Sequence, residues 1–235
     1  MLLNDQQAQL EPGKTVTYTE LALKIQKPEG LSAGNISIPW NPATDTVTVN
    51  KLQIRRGDQV IDVLAGGQKF TTMRREAGLE AATLDGYLTA NIQPEGLQEG
   101  DIVDLATTAE HSDPVMGPHV ETTFGRWIGV PIRRAHVRLE WPATMRLNIH
   151  AKGFAAQPID RGDRKLLEIM AQDVEPIIPP ASAPARFSVT RFGEATDFKS
   201  WSDVARLVMP LYTKAAVIAR SGTLHDEVEK IRAAT

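Results

Sequence analysis

Histidine, carboxylate, serine and tryptophan are the side chains through which this sequence could do chemistry. Cysteine is not among them: none occurs in 235 residues. That removes a cysteine nucleophile, a disulfide framework, a thiolate zinc site and an iron–sulfur cluster. The five histidines are His111, His119, His136, His150 and His225. No two stand at i, i+4 and there is no His-Glu-x-x-His run, so no metal site is expected. His111 falls in Glu110-His111-Ser112-Asp113-Pro114, a polar stretch that could hold an acid–base group with Asp113 beside it. A solvated loop is the plainer account, although loops carry function out of proportion to their length. His136 and His150 sit in strand-like alternation and read as satisfied structural histidines. Gly-x-Ser-x-Gly, the Walker glycine loop and Gly-x-Gly-x-x-Gly are all absent, so no cofactor is expected and no catalytic residue is assigned. Ala65-Gly66-Gly67 reads as a turn.

Four tryptophans offer flat faces for stacking on sugars. Trp141 shares parity with Val137 and Leu139, and Trp201 lies on an apolar helical stripe, so both read as core. Trp40, between Pro39 and Pro42, and Trp127, beside Arg126, are the two that could be exposed. Trp40, Trp127 and His111 are therefore the candidate binding residues. Arg-Gly-Asp occurs at Arg56-Gly57-Asp58 and again at Arg161-Gly162-Asp163. A glycine turn between charged residues accounts for both more simply than cell adhesion does. Asn35-Ile36-Ser37 has the form of a glycosylation sequon, a pattern short enough to arise by chance.

The elements that must position these residues are mostly strands. Hydrophobic residues make up 42% and charged residues 23%, the balance of a folded globular chain. Lys plus Arg is 26 against 29 for Asp plus Glu, so electrostatics give no case for nucleic acid as a partner. No apolar run approaches a membrane-crossing length, and Met1-Leu2-Leu3 leads at once into Asn4-Asp5-Gln6-Gln7, without the pattern of a signal peptide. Thr15–Ile25 reads as a strand whose change of apolar parity near Thr19-Glu20 suggests a bulge. Leu52–Arg55 and Val60–Leu64 flank the turn Arg56-Gly57-Asp58 as a hairpin. Further strands are read at Ile36–Trp40, Val47–Val49, Leu84–Ile92 and Ile102–Thr108. Val137–Trp141 and Met145–Ile149 alternate cleanly and read as a second hairpin across Pro142-Ala143. Leu166–Val174 fits a buried strand or a short helix.

Pro176, Pro179, Pro180 and Pro184 then make a stiff extended strap over 176–184, followed by a strand through Phe187, Val189 and Phe192. After Gly193 the composition changes. Ser200 and Asp203 form a capping box ahead of a stripe from Trp201 to Ala215, with Pro210 inside it as an expected bend or break. Leu224, Val228 and Ile231 mark a last helix whose charges follow the macrodipole. These elements predict a mainly β protein, an antiparallel two-sheet β-sandwich over 1–198, with a helical segment over 199–235.

The order of these pieces resembles the bacterial DUF3857 domain that precedes a transglutaminase-like core. The resemblance rests on Tyr18 with its strand, Gly30-Leu31-Ser32-Ala33-Gly34 and Ile38-Pro39-Trp40-Asn41-Pro42. It continues through Leu52–Asp62, Arg74-Arg75-Glu76, Leu84-Asp85-Gly86 and Leu97–Val103, and ends in Ser200–Val204 and Pro210-Leu211-Tyr212. It implies a non-catalytic accessory domain of a larger protein, periplasmic or membrane-attached. The helices over 199–235 would then lead into a downstream papain-like core carrying Cys, His and Asp. The resemblance carries no functional residue onto this chain. The alternative is a stand-alone module that binds peptide at a sheet edge or glycan at Trp40 and Trp127.

Overall fold

The hairpin of β1 (Leu3–Glu11) and β2 (Lys14–Lys24) begins the molecule and lies at the middle of its largest sheet. Its turn needs glycine twice over. Gly13 has φ +72°, and a Cβ there would stand 2.4 Å from the Gly117 carbonyl oxygen. The computed structural model describes residues 1–74, 86–125, 127, 129–177, 180, 182 and 192–234. They divide into two compact units, Met1–Asp197 and Phe198–Thr235.

The first unit is mainly β. Its remaining strands are β3 (Ile36–Trp40), β4 (Asp45–Arg56), β5 (Gln59–Asp62), β6 (Thr71–Arg74), β7 (Leu88–Ile92), β8 (Ile102–His111) and β9 (Glu121–Phe124). After them come β10 (Ile132–Pro142), β11 (Asn148–Lys152), β12 (Ile159–Arg161), β13 (Arg164–Val174) and β14 (Phe192–Thr196). Where two sheets are expected, the described residues form three. One has eight strands in the order β12-β13-β10-β1-β2-β8-β4-β5; the others are β11-β14-β9 and β3-β7-β6. Among the described residues every pairing is antiparallel except β1 with β10, which run parallel.

One face of the large sheet carries both cores. Ladder partners point to the same side, so the pairs Ala8–Leu139, Leu139–Leu167, Leu105–Leu52 and Val103–Ile54 place the apolar residues on one face. Over β13, β10 and β1 this face meets Phe124 and Ala195 of the β11-β14-β9 sheet. Over β8 and β4 it meets Ile36 and Ile92 of the β3-β7-β6 sheet. Gln6 also points to this side, and the first small sheet satisfies it: its amide donates to Thr123 O at 3.0 Å and accepts from Gly125 N at 3.2 Å.

Two expectations about the strands need correction. The hairpin of Val137–Trp141 with Met145–Ile149 does not form. β10 pairs with β1 and β13, while β11 pairs with β14 in another sheet. Pro142–Met145 turns the chain from one layer to the other, and Leu147 and Ile149 reach the same core from the opposite side. Second, β2 keeps an unbroken register with both neighbours, so there is no bulge at Thr19-Glu20. Its two parities are its two faces, with Val16 and Tyr18 away from the core and Leu21 and Leu23 toward it. The bulge is in β4 instead, between Val49 and Lys51. Of the two readings of Leu166–Val174, the strand holds, as part of β13. The turn after β4 forms as read, with Arg56 opposite Gln59 and Gly57 at φ +57°. The expected strand at Phe187 and Val189, and Pro179 and Pro184 of the strap, lie outside the described residues.

In the second unit α1 (Trp201–Ala215) starts as the capping box predicts, with Ser200 Oγ accepting from Asp203 N at 3.3 Å. It runs through Pro210 without a break, although proline supplies no N–H to the turn before it. α2 spans Thr223–Ala233. Neither helix contains a buried residue, so the stripe of Trp201, Val204 and Val208 has no core of its own within Phe198–Thr235.

Candidate functional site

Away from the cores, the large sheet presents a polar face. His136 on β10 stands opposite Asp5 on β1, and Asp5 opposite Glu20 on β2. Glu20 stands opposite Ala106 on β8, and Ala106 opposite Lys51 on β4. One row of side chains thus crosses five strands. The β4 bulge brings Lys51 into it: Val47 and Val49 face the core before the bulge, Leu52 and Ile54 after it, and Lys51 is left pointing outward. The apolar parity of β4 changes between Val49 and Leu52, and that was the sequence signal for the bulge.

Around Lys51 the row closes into a network. Lys51 Nζ lies 2.5 Å from Glu20 Oε1 and 2.8 Å from Asp104 Oδ1. Tyr18 donates its hydroxyl to Glu20 Oε2 at 2.6 Å, and Arg55 Nη2 donates to Asp104 Oδ2 at 3.0 Å. The Asp104 side chain is only 4% exposed. Burial pushes the Tyr18 phenol up to about 12, helped by its hydrogen bond to Glu20. Burial opposes charge on Glu20 and Lys51, but their mutual contacts outweigh it, holding Glu20 below and Lys51 above their ordinary values. Near neutral pH the phenol therefore stays neutral while Glu20 and Lys51 stay charged. None of the three is poised to exchange a proton in a catalytic step.

The first Arg-Gly-Asp is likewise occupied. Arg56 forks onto Asp101 with bonds of 2.9 and 2.8 Å, and the fully buried carboxylate also accepts from Gln98 N at 2.8 Å. The Arg56 guanidinium holds Asp101 below the usual carboxylate range.

At the far end of β8, His111 is exposed, and its partner is Asp45 rather than Asp113. The two are cross-strand neighbours with Nδ1 2.6 Å from Oδ1. Asp113 instead accepts from Val115 N at 2.8 Å and holds its own turn. A cavity of about 200 Å³ beside them is lined by His111, His119, Asp113, Lys14 and Glu121. His119 carries its own carboxylate, Asp197, at 2.9 Å. Ser112 donates its hydroxyl to Gly13 O, so it is not aimed at a histidine as a nucleophile would be. Among the described residues no group of three His, Asp or Glu is arranged to hold a metal ion.

The tryptophans separate. Trp127 is 3% exposed and meets Phe154 edge-on at 5.1 Å between ring centroids. Its expected exposure is overturned, because residues after β9 fold back into the core beside Phe124. Trp40 ends β3 opposite Leu88, half-buried. No shared platform is built from the two. Trp141 is buried as read, while Trp201 is 86% exposed. His136 is satisfied as read, by Asp5 at 2.7 Å and Glu168 at 3.2 Å.

Next to His136 the polar face dips into a cavity of about 550 Å³, where Arg138, Arg161, Asp163, Arg164 and Glu168 converge. Arg161 and Arg164 face each other across the Gly162-Asp163 turn of β12 and β13, so the second Arg-Gly-Asp forms part of the lining. Sequence reading saw only a turn in Arg161-Gly162-Asp163, because Arg138 and Glu168 come from further along β10 and β13 and share only a sheet face with it.

This mixed β architecture recurs in a larger solved structure, that of a "putative protease" from Parabacteroides distasonis ATCC 8503. The two agree with a TM-score of 0.72 at 14% identity, over 85% of this chain and 40% of that one. The chain thus spans 40% of the length of that structure. No curated protein matches the sequence. Residues 11–178 match the family described as a domain of unknown function with solved structure, DUF3857. The chain belongs to the DUF3857 family.

Proposed function

We propose that this chain is a non-catalytic accessory domain of a larger bacterial transglutaminase-like protein, positioning or presenting substrate to a papain-like core downstream. The observation that carries this reading is the likeness covering most of this chain but 40% of a longer one described as a protease. The absence of cysteine supports it, since such a core would have to bring its own nucleophile. So does the ionic network on the open face, whose groups hold strands together rather than stand ready for proton transfer. In this reading β11-β14-β9 and β3-β7-β6 are two pieces of one second layer, and the unit is a sandwich with an interrupted sheet. In the same reading the whole protein is periplasmic, or membrane-attached and facing the periplasm.

The test has two arms. Sequencing the gene past codon 235 is expected to give an open frame leading to a cysteine, then a histidine and an aspartate. The purified 235-residue chain is expected to show neither amidase nor transamidase turnover. A stop codon after Thr235, or turnover abolished by a point change within the chain, would overturn the proposal.

A further inference from the structure

We infer that the cavity between the β1-β2 turn and the segment linking β8 to β9 binds a primary alkylammonium group, the chemistry of a lysine side chain or a small free amine. Its anchor is Thr15, which is 6% exposed and lines the cavity. The Thr15 hydroxyl has no hydrogen-bond partner among the described residues, yet its oxygen is open to solvent rather than sealed in. A nearly buried hydroxyl left unpaired gives up hydration without return, so at a cavity wall it marks where a ligand atom belongs. His111 is its ladder partner, which sets the two side chains next to each other on one face. Asp45 holds the ring of His111 through Nδ1, so Nε2 is the nitrogen left for a ligand. In the neutral ring Nδ1–H donates to Asp45 and Nε2 accepts.

The charges around this pair favour a cation. Glu121 lines the cavity from the start of β9, and its carboxylate has no partner among the described residues. Asp113 adds a second carboxylate, with one oxygen taken by Val115 N. The lining lysine, Lys14, is already neutralised by Glu110 at 2.6 Å, and His119 is held by Asp197 at 2.9 Å. An anion entering here would meet two carboxylates. An ammonium has three N–H donors and no acceptor, and Glu121, Thr15 Oγ1 and His111 Nε2 offer it one charged and two neutral acceptors. Met116 and Val120 line the same space and suit an alkyl stem. The cavity, about 200 Å³, has room for a four-carbon ammonium, since about 150 Å³ suffices for benzene.

The experiment is an amide chemical-shift titration of the whole 235-residue chain with n-butylammonium chloride and, separately, with Nα-acetyl-lysine methylamide, at fixed ionic strength and neutral pH. The uncharged control is 1-butanol. Saturable shifts confined to residues around 13–15 and 111–121 are expected with at least one ammonium probe and not with the alcohol. Thr15→Val should weaken that binding about tenfold, the worth of one hydrogen bond to a charged group. Glu121→Gln should weaken it about threefold without changing the melting temperature. If Thr15→Val fails to fold, Glu121→Gln alone decides. Tighter binding of the lysine derivative assigns a peptide lysine, and tighter binding of butylammonium a free amine. Absence of saturable shifts with both ammonium probes overturns the inference. Equal saturation by 1-butanol, or binding unchanged in the variants, overturns it as well. Neither result depends on whether a catalytic core lies downstream.

Discussion

The polar face of the large sheet handles charge in two ways. On the β2-β8-β4 side, Tyr18, Glu20, Lys51, Asp104 and Arg55 form a chain in which each ionised group touches an opposite charge. On the β12-β13-β10 side, Arg164 keeps two buried donors without acceptors and Arg161 has no counter-charge among the described residues. The first arrangement costs desolvation and recovers it by pairing, which makes it a fastener between strands far apart in sequence. The second leaves bonding capacity unused, which stability alone would not favour. Similar residue types on one face thus differ in pairing: Asp104 Oδ1 has no well-aligned hydrogen bond but keeps Lys51 Nζ at 2.8 Å, whereas the buried Arg164 Nε and Nη2 have no acceptor among the described residues.

Removing a member of the fastener should test this contrast hardest. Asp104→Ala leaves Lys51 and Arg55 without their shared, nearly buried carboxylate and should cost about 2–4 kcal/mol in urea unfolding. Lys51→Met should cost less, about 1–2 kcal/mol, because Asp104 keeps Arg55 and Glu20 is partly exposed and keeps Tyr18. It should also change the acid limb of stability. Folded Glu20 ionises below its ordinary 4.5. The unfolded chain therefore binds that proton first, and the stabilisation, complete above about pH 4.5, fades as pH falls through the folded value. Melts between pH 5 and 3 should show a shallower loss in Lys51→Met than in the parent.

Tyr18→Phe should cost about 1 kcal/mol at neutral pH, the worth of one hydrogen bond to a carboxylate on a half-buried face. Its clearer mark is alkaline. The folded phenol titrates at about 12 against an ordinary 10.0, so its contribution is present below pH 10 and lost as pH rises through 12. The variant should lack that part of the alkaline decline. The smallest effect belongs to the other side: Arg161→Ala, at an exposed residue unpaired among the described ones, should stay within about 0.5 kcal/mol of the parent. A loss as large as that of Asp104→Ala would mean that both ends of the face are fasteners and would erase the contrast.

Local signals in the sequence carried the local structure. The glycine turn after β4, the extended run after Asp101 and the Ser200 cap all form where residue types place them, because each is decided within a few positions. What failed depended on distant partners. β1 has mostly polar residues and no strand pattern, yet it becomes a central strand because Ala8 and Leu10 complete a core built by β10 and β13. The clean alternation of Val137–Trp141 and Met145–Ile149 was real, but alternation says which residues turn inward, not which strand lies alongside. The carboxylate beside His111 is another case, since Asp113 is near in sequence while Asp45, which it meets, is near across the ladder. Trp127 was misplaced for the same reason: a charged neighbour in sequence says little about what folds over a ring.

The parallel pairing of β1 with β10 has a consequence in time. Asp5 and His136, which meet across that pairing, are separated by 131 positions. Until residues 132–142 arrive, β1 has only β2 beside it, and its other edge of backbone donors and acceptors stays open. Such a sheet closes last at its middle, and chains that must first bring remote segments together fold slowly, over milliseconds to seconds rather than microseconds. During that interval the unpaired edge can be captured by another chain. Refolding yield should therefore fall as protein concentration rises, even where the finished fold is stable.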